Sequence, residues 1–315
     1  MKLVAKTVKV VALVLLLLLT LSVVFFGYTD KPLAELNEKY ATAPSAFLTV
    51  DGMEVHYRDE GNKTDSLPLV LIHGTGSSLH TFDAWTVELK KEKRVIRMDL
   101  PAFGLTGPFP DRVYNIDHYV AFVNQFLTAL GIQQCIIGGN SLGGEIAWNF
   151  TVQHPEKVQK LILIDAAGYP LQSQSVPIGF KIARTPVLNK MMTFITPKWM
   201  VASSLKNVYA DPSKVNDALV NRFFDLTLRA GNRQALVDRM NLAPDTGKLA
   251  LIKNIQQPTL ILWGEQDLLI PVKNAFRFQN DLPNDTLVLI KNSGHCPMEE
   301  SPQETLIPLL NFLKK

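Results

Sequence analysis

The chain has 315 residues, with 32 basic and 29 acidic side chains, and its composition is that of an ordinary globular protein of slightly apolar character. Three of the bases, Lys2, Lys6 and Lys9, precede every acid, so the remainder carries 29 charges of each sign. This balance argues against a nucleic-acid-binding surface and against electrostatic steering of anionic substrates. The length suffices for one large core, or for one core with a lid.

An apolar run at the N-terminus predicts a membrane anchor over residues 1–29. The run extends from Val10 to Phe26, and no charged residue lies between Lys9 and Asp30. Twenty helical residues span about 30 Å, the thickness of the hydrocarbon core of a bilayer. The three preceding lysines favour a cytoplasmic N-terminus with the rest of the chain on the other side of the membrane.

A cleaved signal peptide is the alternative interpretation of this run. Such a peptide normally has a shorter apolar region, followed closely by a small-x-small cleavage site. Here the run ends in Phe25-Phe26-Gly27-Tyr28, which contains no such site. The sequence therefore favours an anchor that stays attached.

The elements that follow alternate between strands and helices. Residues 30–46 are predicted as a polar, partly helical linker, and a hairpin turns at Asp51-Gly52 between strands Phe47–Val50 and Met53–Arg58. The remaining predicted elements are, in order, strand Leu69–Ile72, helix Phe82–Lys90, strand Arg94–Met98, helix Ile116–Leu130, strand Gln134–Gly138, helix Leu142–Gln153, strand Lys160–Ile164, strands Thr259–Gly264 and Thr286–Ile290, and helix Pro302–Leu313. Such alternation predicts an α/β fold with a mostly parallel sheet flanked by helices.

Residues 169–254 interrupt this alternation. The segment is rich in methionine and phenylalanine and is predicted to be helical, so we expect a cap between the two parts of a core formed by residues 47–168 and 255–315. Its apolar side chains could bind an acyl chain, since methionine adapts to varied shapes. They could equally serve only to bury the insert against the core.

The sequence Gly139-Asn140-Ser141-Leu142-Gly143-Gly144 follows an apolar strand and precedes a helix. A G-x-S-x-G pattern in this context predicts a nucleophile elbow, a sharp turn that exposes its serine. The tight turn forces its flanking residues together, so only small residues fit there, and Gly139 and Gly143 relieve the clash. The N-terminus of the following helix favours developing negative charge.

Other polar motifs also follow strands. His73-Gly74-Thr75-Gly76 follows an early strand, Glu265-Gln266-Asp267 follows a late one, and Asn292-Ser293-Gly294-His295 follows the last. Ligands of parallel sheets bind at the carboxyl ends of the strands, so these motifs and the elbow are predicted to meet there.

Five motifs in this order resemble the α/β-hydrolase fold family, over about Leu48 to Leu313. They are His73-Gly74, Asp99 to Gly104, Gly139 to Gly144, Trp263 to Asp267, and Ser293 to His295. Together with the anchor, the chain looks most like membrane-attached monoacylglycerol lipases and bacterial lipases or esterases. The Gly-Asn-Ser-x-Gly-Gly elbow also resembles that of carbon–carbon bond hydrolases of ring-cleavage products.

The resemblance implies a catalytic triad. Ser141 is the predicted nucleophile, His295 its general base and Asp267 the acid that orients the histidine. The backbone N–H groups of Thr75 and Leu142 are the predicted oxyanion hole.

Two other acids compete with Asp267. Asp165 follows the strand ending at Ile164, where some family members place the acid, and Glu265 lies two residues before Asp267. A serine at the elbow, in place of an aspartate, argues against dehalogenase or epoxide hydrolase chemistry.

Structural roles are expected for Asp99, which organises its turn, and for His73, which shapes the oxyanion loop. No cofactor is implied, and the histidines His56, His80, His118 and His154 have no partners at the spacing of a metal site. Cys135 and Cys296 are predicted to be free and buried. Cys296 is expected near Ser141, and the strand from Cys135 to Ser141 places the two cysteines roughly 16 Å apart, too far for a disulfide.

The sequence therefore predicts a membrane-anchored serine hydrolase that acts on small-molecule or lipid esters. A carbon–carbon bond hydrolase with the same triad and a non-enzymatic scaffold are the alternatives.

Overall fold

The computed structural model describes residues 2–170, 172–243 and 247–315 of the chain. Within these residues, eight strands form a single sheet in the order β1-β2-β4-β3-β5-β6-β7-β8. The strands are β1 (Ser45–Val50), β2 (Met53–Glu60), β3 (Leu69–Ile72), β4 (Val95–Met98), β5 (Cys135–Asn140), β6 (Val158–Ile164), β7 (Thr259–Gly264) and β8 (Asp285–Ile290). The pairs β1–β2 and β2–β4 are antiparallel, and the other neighbours are parallel.

Helices cover both faces of this sheet and also precede it. They are α1 (Lys2–Phe26), α2 (Leu33–Tyr40), α3 (Asp83–Leu89), α4 (Ile116–Ala129), α5 (Leu142–Gln153), α6 (Ile178–Arg184), α7 (Leu188–Met191), α8 (Lys198–Val208), α9 (Asp217–Thr227), α10 (Asn232–Met240), α11 (Lys273–Asp281), α12 (Pro297–Glu300) and α13 (Pro302–Lys314). Short 3-10 helices lie at Leu79–Phe82, Pro155–Lys157, Pro212–Lys214 and Leu249–Asn254.

The pleat of the central strands divides the core into two layers. In β3, Val70 and Ile72 pack with side chains of α4, α5 and α11, whereas Leu69 and Leu71 pack with side chains of α3 and α13. Every residue of β3 is buried, because a parallel sheet with helices on both faces leaves no side exposed to solvent. This is why the strands are apolar runs rather than alternating patterns.

The predicted α/β architecture is confirmed. Each strand and helix that was predicted for the core is present, with its ends within two residues of the expected ones. The short helix α11 between β7 and β8 was not predicted. Its sequence, Lys-Asn-Ala-Phe-Arg-Phe-Gln-Asn-Asp, buries only Asn274, Ala275 and Phe278, so its apolar signal is weak.

Helices α6 to α10 lie in the chain between β6 and β7. They pack together through two small apolar clusters, one around Leu205 and Val220 and one around Met192 and Met200. The segment also contacts the core of the sheet, since Ala235 of α10 is buried in the main apolar cluster. The limits of the cap at 169 and 254 remain a prediction.

The segment predicted as a linker is folded against the helices of this insert. Leu36 of α2 is fully buried against Leu105 and Leu226. The Lys31 N–H donates to the carbonyl of Leu228 at 2.7 Å, and Asp30 pairs with Arg233 at 2.7 Å. Residues 30–40 are thus held on the surface of the folded domain rather than being a free tether.

Helix α1 projects from the domain. Its stretch Val4–Phe26 is long and apolar enough to cross a membrane, with a mean hydropathy of 2.8 in its most apolar window. None of that window is buried against the rest of the protein.

Candidate active site

Ser141 lies on a strained turn between β5 and α5. Its φ of 54° and ψ of −117° place a non-glycine residue in a sparsely populated region of backbone conformation. The turn is held by backbone bonds, since the Ser141 N–H donates to Ile164 and its carbonyl accepts from Ala167, both at 3.0 Å. The strain is thus maintained by β6 and by the residues that follow it.

The glycines of the elbow are required by close backbone approach, as predicted. A Cβ on Gly139 would lie 2.2 Å from the carbonyl carbon and oxygen of Gly143, and a Cβ on Gly143 would lie 2.1 Å from the Ile72 carbonyl oxygen. Neither neighbour is a side chain that could rotate away. The sequence spacing therefore reflects the packing of this turn against β3.

His295 and Asp267 meet in a buried hydrogen bond. The distance from His295 Nδ1 to Asp267 Oδ2 is 2.7 Å, and both side chains are almost fully excluded from solvent. The other carboxylate oxygen, Asp267 Oδ1, accepts the backbone N–H groups of Leu269 and Ile270 at 2.8 and 3.0 Å. These donors fix the carboxylate, and Nδ1 is engaged with it, so Nε2 is the nitrogen of His295 available for other contacts.

The backbone of His295 is tied to the elbow and to the helical insert. Its N–H donates to the carbonyl of Val208 at 2.8 Å, and its carbonyl accepts the Asn140 side-chain amide at 2.9 Å. The same amide also donates to Ile164 at 3.2 Å. Asn140 thus links the last strand loop to β6 next to Ser141.

Glu300 orders the histidine loop and was missed by the sequence analysis. This buried carboxylate accepts the N–H groups of Gly294 at 2.7 Å, Asp211 at 2.7 Å and Ala210 at 3.2 Å. It therefore joins the residue before His295 to the end of α8. The only signal in the sequence was an acid soon after the histidine, which would be expected on a solvated helix.

The two rival acids occupy different environments. Glu265 is exposed to solvent, whereas Asp165 is fully buried and accepts the Gly264 N–H at 3.0 Å. Burial, followed by the nearby charge of Asp267, raises the pKa of Asp165 well above its ordinary value. The structure therefore brings Asp267 directly to His295 and places Asp165 beside that pair.

Asp165, Asp267 and His295 also form a cluster whose ligand atoms lie close enough together to hold a metal ion. One ligand atom from each lies within 4.8 Å of the others. However, both Asp267 oxygens and one Asp165 oxygen already accept N–H groups. A donor set occupied by hydrogen-bond donors does not fit a cation, which requires free lone pairs.

The loop after β3, which is the predicted oxyanion loop, is held by His73. Its Nε2 accepts the Leu100 N–H at 2.9 Å, so the ring is a neutral tautomer whose Nδ1 donates to the Gly74 carbonyl at 2.8 Å. Burial lowers the pKa of His73, in agreement with a neutral ring. Thr75 and Leu142 line a cavity together with Ser141.

Asp99 organises its turn from a fully buried position. It accepts the N–H groups of Leu79 and Leu105 at 2.7 and 2.8 Å, and a Cβ on Gly104 would lie 2.2 Å from its carboxyl group. Its partner, His56 Nδ1 at 2.7 Å, was not anticipated. His56 lies in β2 and Asp99 follows β4, so no local spacing in the sequence indicated this pair.

Two cavities meet at Ser141. The outer cavity, of about 870 Å³, is lined mainly by apolar side chains, and its lining also includes Asn115, Glu145, Arg184 and Arg239. The apolar pocket, of about 120 Å³, is lined by Ser141 and His295, and its apolar lining includes Met192, Met200, Val201, Leu205 and Phe223. The site can therefore accept an extended ligand that passes Ser141, and the outer cavity offers some polar groups to it.

The cysteines are unpaired, as predicted. Cys135 is buried in β5, but Cys296 is only partly buried, which corrects the expectation that both are buried. The reason is its position at the wall of the apolar pocket.

Comparison with known proteins gives a consistent family. A family model described as the alpha/beta hydrolase fold matches residues 68–302. The uncharacterized hydrolase YugF of Bacillus subtilis (strain 168) is 28% identical over 283 residues, which are 87% of this chain and 99% of that protein. The 2-hydroxy-6-oxo-6-(2'-aminophenyl)hexa-2,4-dienoic acid hydrolase of Metapseudomonas resinovorans is 27% identical over 290 residues, 89% of this chain and 95% of that enzyme. The crystal structure of a membrane phospholipase A, 26% identical, matches with a TM-score of 0.70 over 98% of both chains.

Proposed function

Because the chain belongs to the α/β-hydrolase fold family, we propose that it is a membrane-anchored serine hydrolase that cleaves carboxylic esters of lipids, such as monoacylglycerols. One observation carries the proposal. Ser141, held on a strained turn, and His295, held by Asp267, face the same apolar pocket.

The reaction follows from the position of each group. Ser141 Oγ attacks the ester carbonyl while His295 Nε2 takes its proton, and His295 then gives that proton to the leaving alcohol. Asp267 holds the imidazole in the required tautomer and stabilises its charged form. In the second step water attacks the acyl group while His295 takes the water proton. His295 then returns this proton to Ser141 Oγ as the acid is released.

The N–H groups of Thr75 and Leu142 stabilise the oxyanion in this proposal. Leu142 begins α5, so its N–H is one of those without an intrahelical acceptor, and the helix N-terminus favours negative charge. Thr75 follows the loop that His73 shapes. Removal of one such donor typically costs about 10²–10³ in rate.

The cavities support an ester of a lipid. The apolar pocket takes the acyl chain, since its walls carry Met192, Met200 and Phe223. The nucleophile, Ser141, also lines this pocket. The outer cavity has room for the alcohol part and offers polar groups to it. The membrane phospholipase A is similar over most of α1 as well as the catalytic domain, which supports a lipid substrate and an anchor.

In the proposed topology α1 crosses the membrane with its N-terminus in the cytoplasm and the catalytic domain outside. The length and hydropathy of Val4–Phe26 support a span, and the preceding lysines support this orientation.

A carbon–carbon bond hydrolase is the second candidate. The similarity to a dienoic acid hydrolase favours it, and Arg184 at the outer cavity could bind a substrate carboxylate. The Gly-Asn-Ser-x-Gly-Gly sequence of the elbow favours a carbon–carbon bond hydrolase less than the sequence suggested. The reason is that the Asn140 side-chain amide donates to the backbone carbonyls of Ile164 and His295. Asn140 has a structural role that either chemistry can use.

The proposal is tested with the full-length protein in detergent. Hydrolysis of p-nitrophenyl esters from acetate to palmitate is measured beside Ser141→Ala, and a ring-fission dienoate is assayed in parallel. Serine-dependent turnover that peaks at medium or long chains is the expected result. Turnover of the dienoate alone would move the assignment to the second candidate. Failure of the folded protein to label with a fluorophosphonate would leave a non-enzymatic scaffold.

A further inference from the structure

We propose that an exposed surface of the helical insert, formed by Val187, Leu188, Phe194 and Trp199 and called here the exit face, docks on the surface of a bilayer that contains anionic phospholipid. The inference rests on the proposed membrane anchor but not on the proposed hydrolysis. Three independent features of the described residues support it: the attachment of the face to α1, its exposed apolar side chains and its charge.

The exit face is fastened to the end of the anchor helix. The Tyr28 N–H donates to the carbonyl of Phe194, and the Thr196 N–H donates to the carbonyl of Phe26, both at 3.0 Å. Gly27 and Ile195 form an antiparallel bridge between these bonds. Phe194 therefore lies beside the residues at which α1 ends.

Further contacts make this attachment rigid. The Tyr28 ring packs edge-on against Phe224, with ring centroids 5.0 Å apart. Asp30 pairs with Arg233, and Lys31 bonds to the insert through its backbone. The orientation of the catalytic domain relative to α1 is thus set by folded structure and not by a flexible chain.

The position of Phe194 relative to the bilayer then follows from the dimensions of a membrane. A span of 23 helical residues is about 35 Å long, which fills a hydrocarbon core of about 30 Å. The polar headgroup layer is about 5–8 Å thick on each side. If α1 crosses the core, Phe194 lies within or next to the headgroup layer, because it bonds to a residue two positions after the helix end.

The exit face exposes large apolar side chains without a partner in the described protein. Phe194 is 71% exposed, Val187 67% and Trp199 55%. These residues belong to one continuous stretch, in which backbone bonds link Val187 to Met191 and Met191 to Phe194. Aromatic side chains at a membrane boundary typically lie at the level of the headgroups.

The charge of the same part of the chain points to anionic lipid. Residues 166–210 contain no aspartate or glutamate, in a protein with 32 bases and 29 acids. The five bases in this stretch are Lys181, Arg184, Lys190, Lys198 and Lys206. Lys190 and Lys198 flank the exposed aromatic residues and are themselves exposed. Basic residues next to a bilayer surface gain free energy from anionic headgroups.

Docking would also place the catalytic site beside the bilayer. Met192 and Met200 lie in the same stretch as Phe194 and Trp199 but are buried, and they line the apolar pocket together with Ser141. One side of this stretch thus forms the pocket while the other forms the exit face. A lipid would have a short path from the bilayer to the nucleophile.

The tryptophans of the chain provide a direct measurement. Trp85, Trp148 and Trp263 are fully buried in the core, and Trp199 is the one of the four that is exposed. The full-length protein is reconstituted into vesicles of phosphatidylcholine, with or without phosphatidylglycerol, that carry brominated acyl chains. Bromine quenches only a tryptophan that lies close to it, so quenching reports Trp199.

The expected result is quenching in the wild type, with a blue shift of emission, that is lost in Trp199→Phe. The quenching should be stronger with phosphatidylglycerol and should weaken in the double variant Lys190→Glu, Lys198→Glu. The matched control is Lys253→Glu, which reverses an exposed charge at the opposite edge of the sheet, before β7, and should have no effect.

Several outcomes would overturn the proposal. Wild-type emission that bromine does not quench, from protein that floats with the vesicles, would show that the anchor inserts without the exit face. Equal quenching in both lipids, unchanged by the charge reversals, would exclude recognition of anionic headgroups. Ester hydrolysis is assayed separately, so quenching without turnover would support docking while the proposed function fails.

Discussion

The carboxyl groups of Asp165 and Asp267 lie next to each other beside His295, with one oxygen of each and a ring nitrogen of His295 all within 4.8 Å. Asp267 accepts three N–H groups, counting that of His295. Asp165 accepts one, from Gly264, and its other oxygen has no donor among the described residues. Burial and the neighbouring charge of Asp267 raise the pKa of Asp165, which favours a protonated carboxyl group that can donate to Asp267.

This arrangement predicts opposite effects for two asparagine substitutions. Asp165→Asn keeps a neutral group that can donate, so we expect activity within a few-fold of wild type. Asp267→Asn removes the charge that orients His295, and we expect kcat to fall by about 10⁴. Steady-state ester hydrolysis measures both. The reverse pattern would make Asp165 the catalytic acid.

The same pair predicts a pH dependence of stability. The pKa of Asp165 is raised in the folded state, so the folded protein retains a proton that the unfolded chain releases above about pH 4. This contribution to stability is complete below the unfolded pKa and is lost as pH rises toward the folded one. Unfolding by denaturant across this range should show a decline that Asp165→Asn lacks. Parallel curves for the two proteins would contradict the assignment.

The buried pair of His56 and Asp99 predicts a large effect on stability. Burial opposes ionisation of Asp99, but the nearby His56 ring and its hydrogen bond lower the pKa of Asp99 below its ordinary value. His56→Ala leaves this buried charge without its partner, so the free energy of unfolding should fall by about 3–5 kcal/mol at pH 7. The stabilisation is present above the unfolded pKa of Asp99 and is lost as the solution becomes more acidic.

The control for that prediction is His154→Ala. His154 is only partly buried and lies 3.9 Å from an exposed glutamate, so its loss should change stability by about 0.5 kcal/mol or less. Denaturant unfolding followed by tryptophan fluorescence compares the two variants. Equal effects would mean that the His56–Asp99 contact contributes little.

The elbow predicts that residue 143 must remain glycine. Gly143→Ala would place a Cβ 2.1 Å from the Ile72 carbonyl oxygen, so β3 and α5 would have to separate, at a cost of about 3 kcal/mol or more. Gly179→Ala is the matched control, because its Cβ meets only the Ser204 hydroxyl at 3.3 Å, which can rotate. The thermal unfolding midpoint should drop sharply for the first and change little for the second. Similar midpoints would mean that the turn can relax.

The apolar pocket predicts control of chain length at Val201. Val201→Phe adds bulk at a partly buried pocket wall, so we expect the kcat/KM for long-chain esters to fall about tenfold, while that for acetate is retained. Val201→Ala enlarges the same position and should shift the preference the other way. An equal loss on all esters would show that the acyl chain does not occupy this pocket.

Much of the fold could be predicted because its determinants are local. The apolar runs of the central strands reflect burial on both faces of a parallel sheet, and the spacing of Gly139, Ser141 and Gly143 reflects the sterics of one turn. The serine, the histidine and the candidate acids each follow a strand, so their common position at the carboxyl ends of the strands was predictable too. The apolar length of α1 was likewise readable without coordinates.

The remaining features depend on which distant residues the loops bring together. Three acids follow strands near the site, and only packing decides that Asp267 reaches His295 while Asp165 is buried beside it and Glu265 points to solvent. The bonds that Glu300 makes to the histidine loop and to α8 likewise join segments far apart in the chain.

The docking of residues 27–31 on the helical insert has the same origin, and it sets Phe194 beside the end of α1. Apolar periodicity and turn geometry follow from a few neighbouring residues, so the sequence by itself determined the strands, the elbow and the apolar helix α1. Hydrogen-bond partners separated by more than a hundred residues follow only from the closed fold, in which each buried donor must find an acceptor.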